Sequence, residues 1–126
     1  ERDTYVEMAR QICAEYGCKK VASVVRNISC VERSIWMGML YDAESGEHWF
    51  SPAHDVHVLE GVAAGDAFNA GLVHALINDF DPQAAVNYAI AASILKLTIK
   101  GDSNLVTADE IAAVASAADG GTRVAR

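Results

Sequence analysis

An α/β fold is predicted by three features of the sequence. A nearly continuous β-branched run, Val21 to Val25, follows an amphipathic helical stretch; two more strand-forming stretches flank a turn-rich segment; and the second half of the chain is alanine-rich with helical spacing. The 126 residues are 52% hydrophobic and 21% charged, enough apolar material for a packed core and too little charge for a disordered chain.

The first element is a helix from Asp3 to about Tyr16. Tyr5, Met8, Ala9 and Ile12 recur at helical spacing, Glu7, Arg10 and Glu15 take the other side, and Gly17 provides the stop. Val21 to Val25 reads as a strand buried on both faces, which argues for a parallel central sheet. Ser34 to Tyr41 and His48 to Ser51 are further strands, joined as a hairpin by the Asp42 to Glu47 turn that contains Gly46. Asp55 to Leu59 alternates as another strand. A helix from about Ala64 to Ile77 places Phe68, Gly71, Leu72 and Ala75 on one face, with small residues that permit close approach. The next helix starts at Asp81 as N-cap and Pro82 at its first position, with Val86, Ala89, Ile90, Ser93, Ile94 and Leu97 facing inward. A last helix opens on a Thr107/Glu110 capping box and runs through Ile111 and Val114 to about Ala118, before Gly120 and Gly121. No internal repeat or linker divides the chain, so residues 1–126 form one architectural unit. Glu1 in place of a starting methionine predicts that further residues precede it.

Charge narrows the partners. Ten Lys and Arg against seventeen Asp and Glu leave −7, so no basic field attracts nucleic acid or anionic lipid. The longest apolar runs fall far short of a membrane span and no signal segment opens the chain, which predicts a cytoplasmic protein. Cys13, Cys18 and Cys30 lack the paired spacing of a zinc site and read as reduced thiols. His48, His54 and His57 have no fourth ligand at a recognisable offset, so no metal site is expected.

The segment Glu60-Gly61-Val62-Ala63-Ala64-Gly65-Asp66-Ala67-Phe68-Asn69-Ala70-Gly71 follows a strand and opens a helix. The first amides of a helix have no intrahelical partner and lie at the positive end of its dipole, so a loop of Ala and Gly lets an anion approach them. Asp66 stands in that first turn, where a carboxylate beside a bound phosphoryl group can take a proton from an attacking hydroxyl. An ordinary helix start with a favourable acidic residue would show the same pattern, and spacing alone leaves both readings open.

Ala63-Ala64-Gly65-Asp66-Ala67-Phe68 with the following Gly71 resembles the second signature, D-T-x-G-A-G-D-x-F, of the ribokinase-like (PfkB) carbohydrate kinases. Within that family the resemblance is closest to the 2-keto-3-deoxygluconate kinases, supported by Trp36 to Asp42 and by Leu95 to Thr107. It extends to Arg126 and corresponds to the C-terminal, nucleotide-side portion of such a kinase. The resemblance implies a ribokinase-like, Rossmann-type three-layer fold, of which this chain holds the C-terminal part of the sheet and its packed helices. It further implies ATP-dependent phosphorylation of a small sugar acid, 2-keto-3-deoxygluconate to its 6-phosphate, with Asp66 as catalytic base and the amides of Ala63, Ala64 and Gly65 as the anion hole. Arg26, Ile90, Ser93 and Asn104 become candidates for the nucleotide site. Mg2+ accompanies the ATP, with its ligands upstream of this chain together with the sugar pocket and lid, and a homo-oligomer is expected. Glu60 stands where the family generally has Asp near a monovalent-cation site, Ala63 where it generally has Gly, and Asn27 where Glu is frequent. Another sugar kinase, for fructose for example, or a non-catalytic nucleotide- or partner-binding module are the competing readings. A dinucleotide-binding unit fails for want of G-x-G-x-x-G after the first strand.

Overall fold

The computed structural model describes residues 2–28, 33–57, 64–97, 108–117 and 123–124. In chain order the elements are α1 (Arg2–Tyr16), β1 (Lys20–Ile28), β2 (Arg33–Asp42), β3 (His48–Phe50), β4 (His54–His57), α2 (Ala64–Ile77), α3 (Pro82–Lys96), α4 (Ala108–Ala117) and β5 (Arg123–Val124). The strands form one five-stranded sheet in the order β1-β2-β4-β5, with β3 also paired to β2. The α/β expectation holds in a three-layer form. Val25, Met39 and Tyr41 pack with Ala9 and Cys13 of α1, whereas Trp36 and Val56 pack with residues of α2, α3 and α4. Side chains alternate across a strand, so Trp36 faces one side and Met39 and Tyr41 the other, and the helices lie on opposite faces.

The sheet is not the parallel one expected from Val21 to Val25. β1 pairs antiparallel with β2 from Lys20↔Asp42 to Ile28↔Ser34, β2 pairs antiparallel with β3 and β4, and only β4 and β5 are parallel. Residues 29–32 alone separate β1 from β2, too few for the crossover that parallel neighbours require. The run is not buried on both faces either. β1 ends the strand order, so Val21, Ala22, Ser23 and Val24 are half-buried and only Val25 is fully covered. The expected hairpin is present: β2 and β3 pair across the Asp42 turn, where the Asp42 carboxylate accepts from the Glu44 amide at 3.1 Å and the Ser45 hydroxyl at 3.2 Å, and Gly46 takes φ 75°. These bonds hold the Asp42 carboxyl below its ordinary range, the Glu44 amide first.

α1 seats on the sheet through a different stripe from the one expected. Ala9 and Cys13 are buried and Tyr5 and Val6 half-buried, while Met8 is 54% and Ile12 38% exposed. Small residues let the helix lie close on Val25, Met39 and Tyr41, and this close seating rotates Met8 and Ile12 off the contact.

On the other face α2 runs over the expected residues. Ala64, Ala67, Phe68, Gly71 and Ala75 are buried against α3. A Cβ on Gly71 would stand 3.0 Å from Ala92 Cβ and 3.2 Å from the backbone Cα of Ala89, so the helices meet more closely than nearly all Cβ contacts allow. Gly71→Ala is therefore expected to destabilise the chain by about 1–3 kcal/mol, because the backbone of α3 cannot step aside, despite alanine's better helix propensity. A lowered urea midpoint with unchanged m-value would show it, and a stabilised variant would contradict the close approach.

α3 begins as its sequence predicts. The Asp81 carboxylate accepts from the Ala84 amide at 2.8 Å and Pro82 takes the first helical position. Every residue from Tyr88 to Lys96 is buried, so α3 is covered on all sides and not only on its predicted inner stripe. α4 carries Ile111 into the same core. Thr107 of the capping box lies outside the described residues. Among the described residues no helix is long and apolar enough to cross a membrane.

His54 is a polar residue in this apolar setting. It is 1% exposed, and its Nδ1 has no hydrogen-bond partner among the described residues. Burial pushes its imidazole below the ordinary histidine range. The unfolded chain binds a proton near pH 6.5 that the folded chain refuses, so stability is fully present above that pH and falls as the pH drops below it. The slope is at most about 1.4 kcal/mol per pH unit. Urea unfolding at pH 7 and pH 5 should show the loss, and His54→Leu should flatten it. An equal slope in both proteins would assign it to another group.

Candidate active site

The site grows from the start of α2. Ala64, Gly65 and Asp66 are its first three residues, and their amides fall in the turn that has no acceptor within the helix. Ala64 is buried, whereas Gly65 and Asp66 are exposed. A Cβ placed on Gly65 would meet nothing within 4 Å, so an anion can reach the backbone there without a side chain in its way. The Asp66 carboxylate shares that open end of the helix, where the dipole favours negative charge.

The core fixes where this turn stands. Phe68, two residues after Asp66, is 2% exposed, and its Cε1 lies 3.0 Å from where a Cβ on Gly38 of β2 would be. Val86 and Ile90 of α3 crowd the same point, at 3.0 and 3.4 Å. Gly38 is itself held by a reciprocal pair: its amide donates to Ser51 Oγ at 2.8 Å and its carbonyl accepts from the Ser51 amide at 2.9 Å. The open turn is thus anchored through Phe68 to the middle of β2. Gly38 had no sequence signal beyond its place in a strand, where an isolated glycine can mark close approach of another element.

Of the remaining candidates, Ala63 and Asn104 lie outside the described residues, as does Glu60. Arg26 is exposed on β1 with its guanidinium 5.5 Å from the centroid of the Trp36 ring. It borders a cavity of about 480 Å³ with Arg2, Asp3, Tyr5, Val25, Ile35 and Met37, a lining that contains none of the α2 residues. Ile90 and Ser93 are fully buried. A fully buried side chain has no surface to give a nucleotide, so in this arrangement Ile90 packs beneath Gly38 and Ser93 sits in the core with its hydroxyl unpartnered among the described residues.

A groove along α2, α3 and α4 was not anticipated. Ala67, Ala70, Gly71 and His74 line it from α2, with Tyr88 and Ala92 from α3 and Ala108 and Ile111 from α4. The His74 and Tyr88 rings stack at 5.2 Å and 18°, and Phe80 meets Tyr88 edge-on at 5.5 Å. The alanine spacing that predicted close helix packing also hollows the groove, the signal that could have located it. Burial, and then the charge of Asp109, push the Tyr88 phenol above its ordinary range, keeping it a neutral hydroxyl. Among the described residues no three His, Cys, Asp or Glu side chains gather as a metal site.

The sequence profile described as "pfkB family carbohydrate kinase" matches residues 37–109. An ATP-dependent ribose-1-phosphate kinase of Halopiger xanaduensis is 37% identical over 65 residues, which are 52% of this chain and 22% of that protein. A 2-dehydro-3-deoxygalactonokinase of Haloferax volcanii is 30% identical over 76 residues, 60% of this chain and 24% of that protein. The crystal structure of a Thermotoga maritima 2-dehydro-3-deoxygluconokinase superimposes with a TM-score of 0.87 at 31% identity, over 92% of this chain and 35% of that one. The chain therefore spans between a fifth and about a third of the length of these relatives.

Proposed function

The chain belongs to the pfkB family of carbohydrate kinases, and on that footing we propose that it forms the C-terminal, nucleotide-side portion of an ATP-dependent kinase acting on a sugar acid, 2-keto-3-deoxygluconate. The observation that carries this reading is the exposed Asp66 in the first turn of α2 beside the bare backbone of Gly65. Asp66 takes the proton of the sugar hydroxyl as its oxygen bonds to the γ-phosphorus and the bond to the β-phosphate oxygen breaks. The amides of Ala63, Ala64 and Gly65 hold the charge on the phosphoryl oxygens, where fixed dipoles need no reorganisation during transfer. Among the described residues, the α2–α4 groove and the exposed Arg26 are open to the rest of the nucleotide.

Among the described residues no three His, Cys, Asp or Glu side chains gather, and Mg2+ bound with ATP needs only one or two protein carboxylates beside the phosphates. The metal that accompanies ATP would take its protein ligands upstream of this chain, as the resemblance implies. The sugar pocket lies outside this chain as well. The working enzyme is a cytoplasmic homo-oligomer.

Substrate choice is tested on the intact protein with ATP and a panel of 2-keto-3-deoxygluconate, 2-keto-3-deoxygalactonate, ribose 1-phosphate and fructose. The highest kcat/KM is expected for 2-keto-3-deoxygluconate. Preference for ribose 1-phosphate, the substrate named for the Halopiger xanaduensis relative, would move the protein to that activity while leaving the role of Asp66 intact.

A further inference from the structure

β3 and β4 both pair with β2, but not in one register. Between the pairs Met39↔Phe50 and Trp36↔His54, β2 supplies two residues, Met37 and Gly38, and the facing segment three, Ser51, Pro52 and Ala53. The extra residue makes a β-bulge and turns the alternation of side chains over. Phe50 packs on the α1 side of the sheet, whereas Val56, an even number of residues further on, packs with α2, α3 and α4. Ser51 closes the ladder across this break. Its hydroxyl accepts from the Gly38 amide at 2.8 Å and donates to the Pro52 carbonyl at 3.0 Å, and its own amide donates to the Gly38 carbonyl at 2.9 Å. Ser51 is 2% exposed and Gly38 is buried, so bulk water cannot take over from the hydroxyl.

We propose that Ser51 is a positioning residue for Asp66, a role that rests on the reading of Asp66 as the base. The bulge governs the first turn of α2 from both sides. Ahead of that turn, the register of β4 decides where the chain leaves the sheet at His57 on its way to Ala64. Behind it, Phe68 lies against the bare backbone of Gly38, its Cε1 3.0 Å from where a Cβ would be, and Asp66 stands two residues before Phe68 in the same helix. Gly38 keeps this place because Ser51 holds both its amide and its carbonyl. Without the hydroxyl the buried Gly38 amide has lost its acceptor, a cost the backbone relieves by shifting. Phe68 follows such a shift and carries the Asp66 carboxylate with it, and a misplacement of about 1 Å can slow a reaction on the order of 10²-fold.

The test compares Ser51→Ala, Ser51→Thr, Asp66→Asn and the Ser51→Ala/Asp66→Asn double variant in the intact protein, with ATP and the sugar that the substrate panel selects. Ser51→Ala is expected to lower kcat about tenfold while the KM for ATP stays within about twofold, and Ser51→Thr, which keeps the acceptor, to restore most of the loss. Adding Ser51→Ala to Asp66→Asn should cost nothing further, because the place of the carboxylate matters only while it takes the proton. A hydroxyl that served stability alone would slow both backgrounds alike. Gly38→Ala presses on Phe68 and leaves the Ser51 hydroxyl in place, so it should show the same fall in kcat and the same silence beside Asp66→Asn, and it carries the test if Ser51→Ala does not fold. Unchanged turnover, a loss confined to KM, or equal losses with and without the Asp66 carboxyl would each overturn the proposal. Full turnover in Asp66→Asn would instead overturn the base itself, and the positioning role with it.

Discussion

Asp66→Asn in the intact protein is expected to lower turnover by about 10²- to 10⁴-fold if it is the proposed kinase, the span typical of losing a general base. Asparagine keeps the size and hydrogen-bonding reach of the side chain but cannot accept the hydroxyl proton. On the proposed reading the anion hole consists of backbone amides at the start of α2, which the substitution leaves in place. ATP affinity should therefore change little while kcat falls, a split that nucleotide titration together with steady-state kinetics would read directly. Turnover within a few-fold of the parent would remove Asp66 from the chemistry and return the turn to a merely structural helix start.

The isolated 126-residue chain should not phosphorylate 2-keto-3-deoxygluconate, although it contains the first turn of α2. Phosphoryl transfer depends on positioning and electrostatic stabilisation, and a sugar hydroxyl not held in line with the γ-phosphate forfeits roughly 7–11 kcal/mol of effective-molarity advantage. The chain spans about a third of the length of the Thermotoga maritima kinase, and on the proposed reading the sugar site belongs to the remainder. The same chain should self-associate as its concentration rises. β1 ends the strand order, and Met8, Ile12 and Tyr16 are exposed along α1. Radiometric transfer from labelled ATP and sedimentation of the same sample would measure both. Robust turnover would mean that residues assigned here to packing build a sugar site, and a monomer at high concentration would show that this face needs no cover.

Local chemistry made the helical half legible. Asp81 and Pro82 mark the start of α3 with a side-chain cap and a fixed φ, and the small residues of α2 announced the tight contact that Gly71 makes. The turn at Asp42 to Glu47 did the same for the β2–β3 hairpin. Strand direction was not legible, because Val21 to Val25 looks alike whether its neighbour runs parallel or antiparallel, and the outcome depends on which strand follows it. The inner stripe of α1 was misplaced for a related reason: Met8 and Ile12 are more apolar than Ala9 and Cys13, but the sheet selects for small size at that contact, not for hydrophobicity. At the site, Asp66 and the bare turn were visible as a motif. Gly38 was not, since its part is to make room for Phe68, which only packing shows.

The antiparallel pairing of β1 with β2 also bears on how the chain reaches this structure. Ile28 and Ser34 face each other across a short connection, so that ladder can close early at small cost in loop entropy. β4 and β5 meet only after α2, α3 and α4 have been laid down between them, which makes Val56↔Val124 a long-range contact. Contact order alone then predicts assembly from the hairpin, through the helical layer that packs on Trp36, to the closing strand. Amide exchange should grade the same way, slowest across β1 and β2 and fastest at β5, so that the last strand acts as a latch on a sheet already formed.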